Sequence, residues 1–382
     1  MVSPTEVESL RRRNAGQWFR EADAEPEGTT ADPFSSIAGG RGYHLIRKRA
    51  DGACGFLAAT NRCRLHEELG AGAKPLACRM FPYSFHPAPS AIVVTTSFAC
   101  PTIVANRGER MASDGPRALI ASLQKEWFSG PQPAAVPRLL VAGRPIDAAS
   151  LAILRDGLLA ILERTDGGTR SLSLNLRRMA VVLDDLTRLR VIRLPDTAFA
   201  EYVKLTVPFA AASTQPVPAR AASAMGRLLQ RGFLFTVVSA RERTEQAGRS
   251  RLARRLRSFW LLAHVHGLAP RVGRVNMAAL KRGRVDLNAA DLQPIAHHYL
   301  RASLQAMGAS ERPVLDALAV TVSYVNVACA LATMNGDTGT FSEALMAAVD
   351  LAHADERGLL GRLLGRFAGG TEAFYTATHV GA

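Results

Sequence analysis

The chain has 382 residues, 48% of them hydrophobic and 21% charged. That balance excludes a wholly disordered polymer and leaves room for two or three domains with a sizeable core. The net charge of +14 comes mostly from arginine, the lysines being Lys48, Lys74, Lys125, Lys204 and Lys281; it admits an acidic protein, nucleic acid or an anionic membrane surface as partner without choosing among them.

At the amino end, Ser3-Pro4-Thr5-Glu6 predicts a helix start, with Ser3 as N-cap, proline at the first helical position and glutamate three residues after the cap. Val7 and Leu10 give that helix one apolar face, and it is expected to end near Asn14. No apolar run follows Met1, so no secretory signal is expected and the protein is placed in the reducing cytoplasm. There, clustered cysteines serve as metal ligands more often than as disulfides, and the five in this chain cannot all pair. Residues 21–41 are acidic and then rich in Gly, Ser and Pro, which predicts loop; Tyr43 to Lys48 predicts a strand.

Four of the five cysteines, Cys54, Cys63, Cys78 and Cys100, follow at gaps of eight, fourteen and twenty-one residues. Four thiols form a complete ligand set for zinc or an iron–sulfur cluster, and both accept four thiolates, so the metal stays open. The spacing matches neither zinc-finger pairs nor a ferredoxin run. Periodicity here is brief: a helical turn over Leu65 to Leu69 and a strand over Ile92 to Ser97. So little apolar burial leaves a role for a structural metal, which contributes on the order of 10 kcal/mol of folding free energy. The expected metal ligands are Cys54, Cys63, Cys78 and Cys100, with His66 and His86 as substitutes. Arg62, Arg64 and Arg79 stand beside cysteines, where they can offset thiolate charge, although each taken singly reads better as a side chain that faces water. The competing reading packs the four cysteines as small apolar side chains.

These residues also carry a resemblance. Gly52-Ala53-Cys54-Gly55-Phe56-Leu57, Cys63-Arg64-Leu65, Gly70, Lys74-Pro75, Cys78-Arg79-Met80-Phe81-Pro82 and Cys100-Pro101 resemble the second half of the CxxCxxCC zinc- or iron-chelating cysteine-cluster domain of the YkgJ type. The Cys-Arg-x-Phe-Pro element is the most specific part. The chain's length and long helical tail resemble the branch that includes the flagellin lysine-N-methylases. The resemblance implies a 4Fe-4S cluster or zinc as cofactor, S-adenosylmethionine as a second one, and a protein substrate for lysine N-methylation. The motifs span roughly residues 1 to 105. The family's first cysteine group is absent, and Met1 to Leu10 resemble the helix that follows it; the expectation is a reading frame begun too far downstream, with the missing cysteines encoded before Met1.

For methylation itself the residues add nothing. A Rossmann-type methyltransferase shows a strand, a Gly-rich turn and an acidic residue about twenty positions on, whereas Gly39-Gly40-Arg41-Gly42 and Gly70-Ala71-Gly72 lack that setting. A radical-type CxxxCxxC, a Gly-x-Ser-x-Gly elbow and a P-loop do not occur. No catalytic or S-adenosylmethionine-binding residue is assigned.

Further on, a helix is expected at about 116–128, with Leu119, Ile120, Leu123 and Trp127 on one side. Pro131, Pro133 and Pro137 then mark a linker. The boundary drawn there separates a cysteine-cluster, metal-binding domain at 1–131 from a helical domain at 132–382. Arg138 to Ala142 predicts a short strand. From Asp147 the pattern is helical, with one stripe of Leu151, Leu154, Leu158, Leu159 and Leu162 and another of Leu172, Leu176, Met179, Leu183 and Leu186. More helices are expected over 196–212, 218–241, 250–266, 289–307, 313–334, 341–353 and 357–368. The uncharged run between Asp316 and Asp337 is long enough to span a bilayer, but Thr321, Ser323, Asn326 and Thr333 interrupt it. It reads as a buried core helix with Cys329 as a small hydrophobe, and no membrane span is expected.

Arginines 241, 243, 249, 251, 254, 255 and 257 crowd a helix whose other stripe is Leu252, Leu256, Phe259, Trp260 and Ala263. Such a helix can dock an acidic protein; its bland reading is a solvated face over a core stripe, and nucleic acid is not favoured. His264 and His266 are spaced wrongly for a helical metal pair, His297 and His298 read as packing or surface residues, and Asp184-Asp185 as solvated charges. The fold class expected is mainly α, a small irregular α+β cysteine-cluster domain followed by a larger all-helical one. The expected function is coordination of an iron–sulfur cluster or zinc. S-adenosylmethionine-dependent protein lysine N-methylation and an arginine-faced interaction module without catalysis are the alternatives.

Overall fold

The computed structural model describes residues 2–20, 32–36, 42–49, 53–87, 92–128, 138–215, 217, 223, 271–272, 275–276, 287–290, 292–308, 312–335, 345 and 370–376. In chain order the first part holds α1 (Pro4–Arg12), β1 (Phe34–Ser36), β2 (His44–Ile46), α2 (Arg64–Leu69), α3 (Leu76–Met80), β3 (Tyr83–Pro87), β4 (Ile92–Thr96), α4 (Pro101–Val104) and α5 (Asp114–Trp127). Then come β5 (Leu139–Val141), β6 (Arg144–Pro145), α6 (Ala148–Glu163), α7 (Leu172–Leu186), α8 (Leu189–Ile192), α9 (Asp196–Ala212), β7 (Arg271–Val272), β8 (Val275–Asn276), α10 (Gln293–Gln305), α11 (Val314–Asn335) and α12 (Glu372–Thr376). The protein is mainly α, with strands in two-membered pairs only among the described residues.

Two compact units result. One comprises Met1–Tyr83 with Glu109–Gln132, the other Ser84–Gly108 with Pro133–Ala382. The first unit ends beside the expected 131/132 boundary, but residues 84–108, Cys100 among them, belong to the second.

In the first unit the Ser3 cap forms as its sequence dictates. The Ser3 hydroxyl accepts from the Glu6 N–H, and the Glu6 carboxylate accepts from the Ser3 N–H at 2.8 Å, closing a capping box at the start of α1. Phe34 to Ser36 pair antiparallel with His44 to Ile46, and Val2 bridges His44. A strand thus stands inside the stretch expected to be loop, because β2 supplies it with a ladder partner. Val7, Leu10, Phe19, Phe34, Phe56 and Leu65 bury themselves in one small apolar cluster, with Phe19 and Phe56 edge to face at 5.7 Å between centroids. On α5 only Leu123 is buried, while Leu119 and Trp127 are exposed, so the expected four-residue apolar stripe does not form.

The second unit carries the large core. α6 packs on α7, α9 and α10, and α12 packs on α7 and α11. The sequence stripes point inward: Leu154, Leu158 and Leu162 on α6 and all five of Leu172, Leu176, Met179, Leu183 and Leu186 on α7 are buried. Gly157 lets α6 and α9 approach, since a Cβ there would sit 2.3 Å from Val207 Cγ1. Buried Asn175 donates to the carbonyls of Leu162 and Arg164 at 3.1 and 2.9 Å, satisfying the last turn of α6 from a neighbouring helix. Among the described residues no helix is long and apolar enough to cross a membrane; the described part of α11 is buried in the core, Cys329 with it.

Asp184 and Asp185 are not solvated charges. Asp185 accepts from the Tyr202 hydroxyl at 2.5 Å and Asp184 from the Tyr375 hydroxyl at 2.7 Å. The Asp185 bond holds the Tyr202 hydroxyl above its ordinary pKa, with burial adding to the shift. His298 packs on Phe98 with tilted rings 5.1 Å apart, whereas His297 Nε2 lies 3.2 Å from a Glu163 carboxylate oxygen. The helices expected over 218–241 and 250–266, the arginine cluster, His264 and His266 fall outside the described residues. So does most of 341–353 and all of 357–368.

Candidate metal centre

Cys54, Cys63 and Cys78 lie in the first unit on three short segments. Cys54 sits in a turn closed by its own carbonyl, which accepts from the Leu57 N–H at 2.9 Å, and by a bridge to Lys48. The next residue must be glycine: a Cβ on Gly55 would lie 2.0 Å from Phe19 Cε2, and the Gly55 carbonyl accepts from the Arg20 N–H at 3.0 Å. Beyond it, the Phe56 N–H points back at the Cys54 sulfur, an arrangement that favours a thiolate.

The chain then loops back, so that Leu57 bridges Cys63 and the Arg64 N–H donates to the Phe56 carbonyl at 2.9 Å. Cys63 becomes the N-cap of α2, its carbonyl taking the N–H groups of His66 and Glu67 at 2.9 and 3.0 Å. Cys54 and Cys63 both pack against the apolar cluster while staying half-buried.

Cys78 rides on α3, a five-residue helix that follows Pro75 and has no cap of its own. Its anchors come from elsewhere in the unit. Glu6, already closing the box on Ser3, also accepts the Leu76 N–H at 2.6 Å, capping α3 from α1. Arg79 grips Glu126 on α5 through both terminal nitrogens and donates from Nε to the Lys74 carbonyl at 2.9 Å.

The charges of neighbouring cysteines act on two of the three thiols. Burial pushes the Cys78 thiol up, the charges of Cys54 and Cys63 push it further, and Lys74 opposes them. Burial likewise raises Cys54 and Cys63 adds to it, against the Phe56 N–H, Arg49 and Lys48. The compensating cations are therefore Lys48, Arg49 and Lys74. Of the arginines beside cysteines, Arg79 pairs with Glu126 and Arg62 lies 3.8 Å from Glu67, while Arg64 Nη1 is buried without a hydrogen-bond partner.

Neither histidine joins them. His66 is exposed on α2, and His86 lies in the second unit with Nε2 bonded to Thr95 Oγ1 at 3.0 Å. Cys100 also belongs to the second unit, where it caps α4 and accepts the Val104 N–H at 3.1 Å. Among the described residues no three His, Cys, Asp or Glu side chains form a ready-made metal site. The donor set fits a soft metal by its chemistry, three sulfurs with N–H and cationic support, but its geometry is not closed.

No known protein family, curated protein or solved structure matches the chain.

Proposed function

We propose that the protein is a metal-binding cysteine-cluster protein of the YkgJ type, taking zinc or an iron–sulfur cluster on Cys54, Cys63 and Cys78, with Cys100 as the fourth ligand read from the sequence. The observation that supports this is that Cys54, Cys63 and Cys78 all fall in the first compact unit, each half-buried and two of them against its apolar cluster. A bound cation would stabilise these thiols as thiolates, which burial disfavours at Cys54 and Cys78. Cys54 and Cys63 each stand at an isolated bridge rather than in a sheet. Closing the centre and ordering these segments are then one coupled event. When bound, the group would supply the cross-link that the small apolar cluster lacks. Glu6 and Arg79 fix the helix bearing Cys78, and the Phe56 N–H orients the sulfur of Cys54.

Metal analysis and an absorption spectrum of anaerobically purified protein test this. A broad visible band with iron and sulfide supports a cluster, and stoichiometric zinc without colour supports a structural zinc site. Protein that holds neither after reconstitution with either contradicts the proposal.

A further inference from the structure

In the second unit the end of α6 meets α10 through one carboxylate. Glu163, the last residue of α6, accepts from Arg170 Nη2 at 2.8 Å on Oε2, and Arg301 Nε lies 3.4 Å from Oε1. His297 Nε2 faces the same Oε2 that Arg170 holds, at 3.2 Å. Arg170 stands in the segment joining α6 to α7, whereas His297 and Arg301 are one turn apart on one side of α10. A further tie runs alongside, because Gln293 Nε2, in the first turn of α10, donates to the Arg170 carbonyl at 2.6 Å.

The side chain of His297 is only 12% exposed. Its Nε2, Glu163 Oε1 and Arg170 Nε are all closed from solvent without a hydrogen-bond partner. Atoms left so are costly, and the clasp holds by charge and packing more than by fully made bonds. One carboxylate here already answers two guanidinium groups, so a third cation in the same place finds its counter-charge shared.

The other charges around α10 are taken or absent. Asp166, just past the end of α6, is held by Arg178 at 2.8 Å and by Arg164 at 3.4 Å. Arg155 and Asp156, earlier on α6, pair with each other at 2.9 Å. α10 also packs on α11, α4 and β4. Neither α4 nor β4 carries a titratable side chain, and Asp316 in the first turn of α11 lies in the field of Arg312. His298 points another way round the helix, onto Phe98 and the backbone of Ile103.

We infer that Glu163, Arg170, His297 and Arg301 form a proton-operated clasp between the end of α6 and the first half of α10, closed while His297 is neutral and opened when its ring takes a proton. Burial lowers the His297 pKa, Glu163 opposes the shift, and Arg170 and Arg301 add to it. Folding therefore favours the neutral ring. The stability that the clasp contributes is complete above the ordinary histidine range and is lost as pH falls through the lower folded-state value. The clasp lies wholly in the second unit and does not rest on the metal reading.

The test is hydrogen exchange of the full chain, read by mass spectrometry at about pH 8 and about pH 5 and corrected for the intrinsic rate at each pH. Protection over 158–170 and 293–301 should fall at the acid pH relative to protection over 179–186 on α7. In His297→Gln, whose side chain stays neutral, that fall should be lost. In Arg301→Gln it should shrink, because one of the two cations that oppose the proton is gone. His298→Gln, altered next door but on another side of the helix, should keep it. Protection of the two segments that does not change with pH in the wild type overturns the inference. So does the same fall in wild type, His297→Gln and Arg301→Gln, or a fall abolished by His298→Gln. If His297→Gln does not fold, an undiminished fall in Arg301→Gln is sufficient to overturn it.

Discussion

Glu6 is one of the two side chains that anchor the helix carrying Cys78. Its carboxylate accepts from the Ser3 N–H at 2.8 Å, from the Ser3 hydroxyl at 2.7 Å and from the Leu76 N–H at 2.6 Å. In Glu6→Ala the local capping box is lost, at about 1 kcal/mol. The orphaned first turn of α3 costs about another 1 kcal/mol, a low figure for a charged acceptor because this carboxylate is partly open to solvent. Only the second part bears on α3. Opening of that helix should therefore rise about fivefold, and pulsed alkylation of Cys78 should quicken by the same factor. Cys329, buried in the second unit, is the internal control. Ser3→Ala is the discriminating variant: it removes the local cap, leaves the Leu76 bond, and should lower stability without touching the Cys78 rate. Burial pushes the Glu6 carboxyl up, but the N–H groups of Leu76 and Ser3, with the field of Arg79, outweigh it and lower the pKa. The stabilisation is therefore complete above the ordinary glutamate range and is lost as pH falls through the lower folded-state value. Glu6→Gln should flatten that acid limb. Equal Cys78 labelling in wild type, Glu6→Ala and Ser3→Ala would refute the reasoning.

Gly55→Ala places a Cβ 2.0 Å from the Phe19 ring and should destabilise the first unit by about 1 to 3 kcal/mol in denaturant titration. Asn175→Leu strips two donors from the end of α6 and should cost about 2 kcal/mol, read as a lower thermal midpoint. Tyr202→Phe and Tyr375→Phe each remove a hydroxyl from a carboxylate and should cost about 1 to 2 kcal/mol apiece. Their double mutant should exceed the sum of the singles if the adjacent aspartates act as a unit.

Helices with a strong 3.6-residue stripe were legible in the sequence. Leu172 to Leu186 form one buried face of α7, and α9 occupies Asp196–Ala212 as the pattern requires. So was the Ser3 cap, whose chemistry is wholly local. What escaped depends on partners outside the segment itself, some near and some far along the chain. β1 is three residues long and exists because β2 pairs with it. α3 is held by Glu6 seventy residues earlier and by Glu126 forty-seven later. Asp184 meets a tyrosine 191 residues away. The cysteines were visible as a donor set, but spacing says nothing of which compact unit each one joins, and Cys100 joins the second. The direction of the Arg79 side chain, toward Glu126 forty-seven residues on, was likewise not legible from its place beside Cys78.

The most direct measurement is X-ray absorption at the edge of whichever metal, zinc or iron, the purified protein carries. The account predicts a first shell dominated by sulfur, at about 2.3 Å for zinc, that loses occupancy in Cys54→Ser, Cys63→Ser and Cys78→Ser. A first shell of nitrogen and oxygen alone, unchanged by those substitutions, would contradict it.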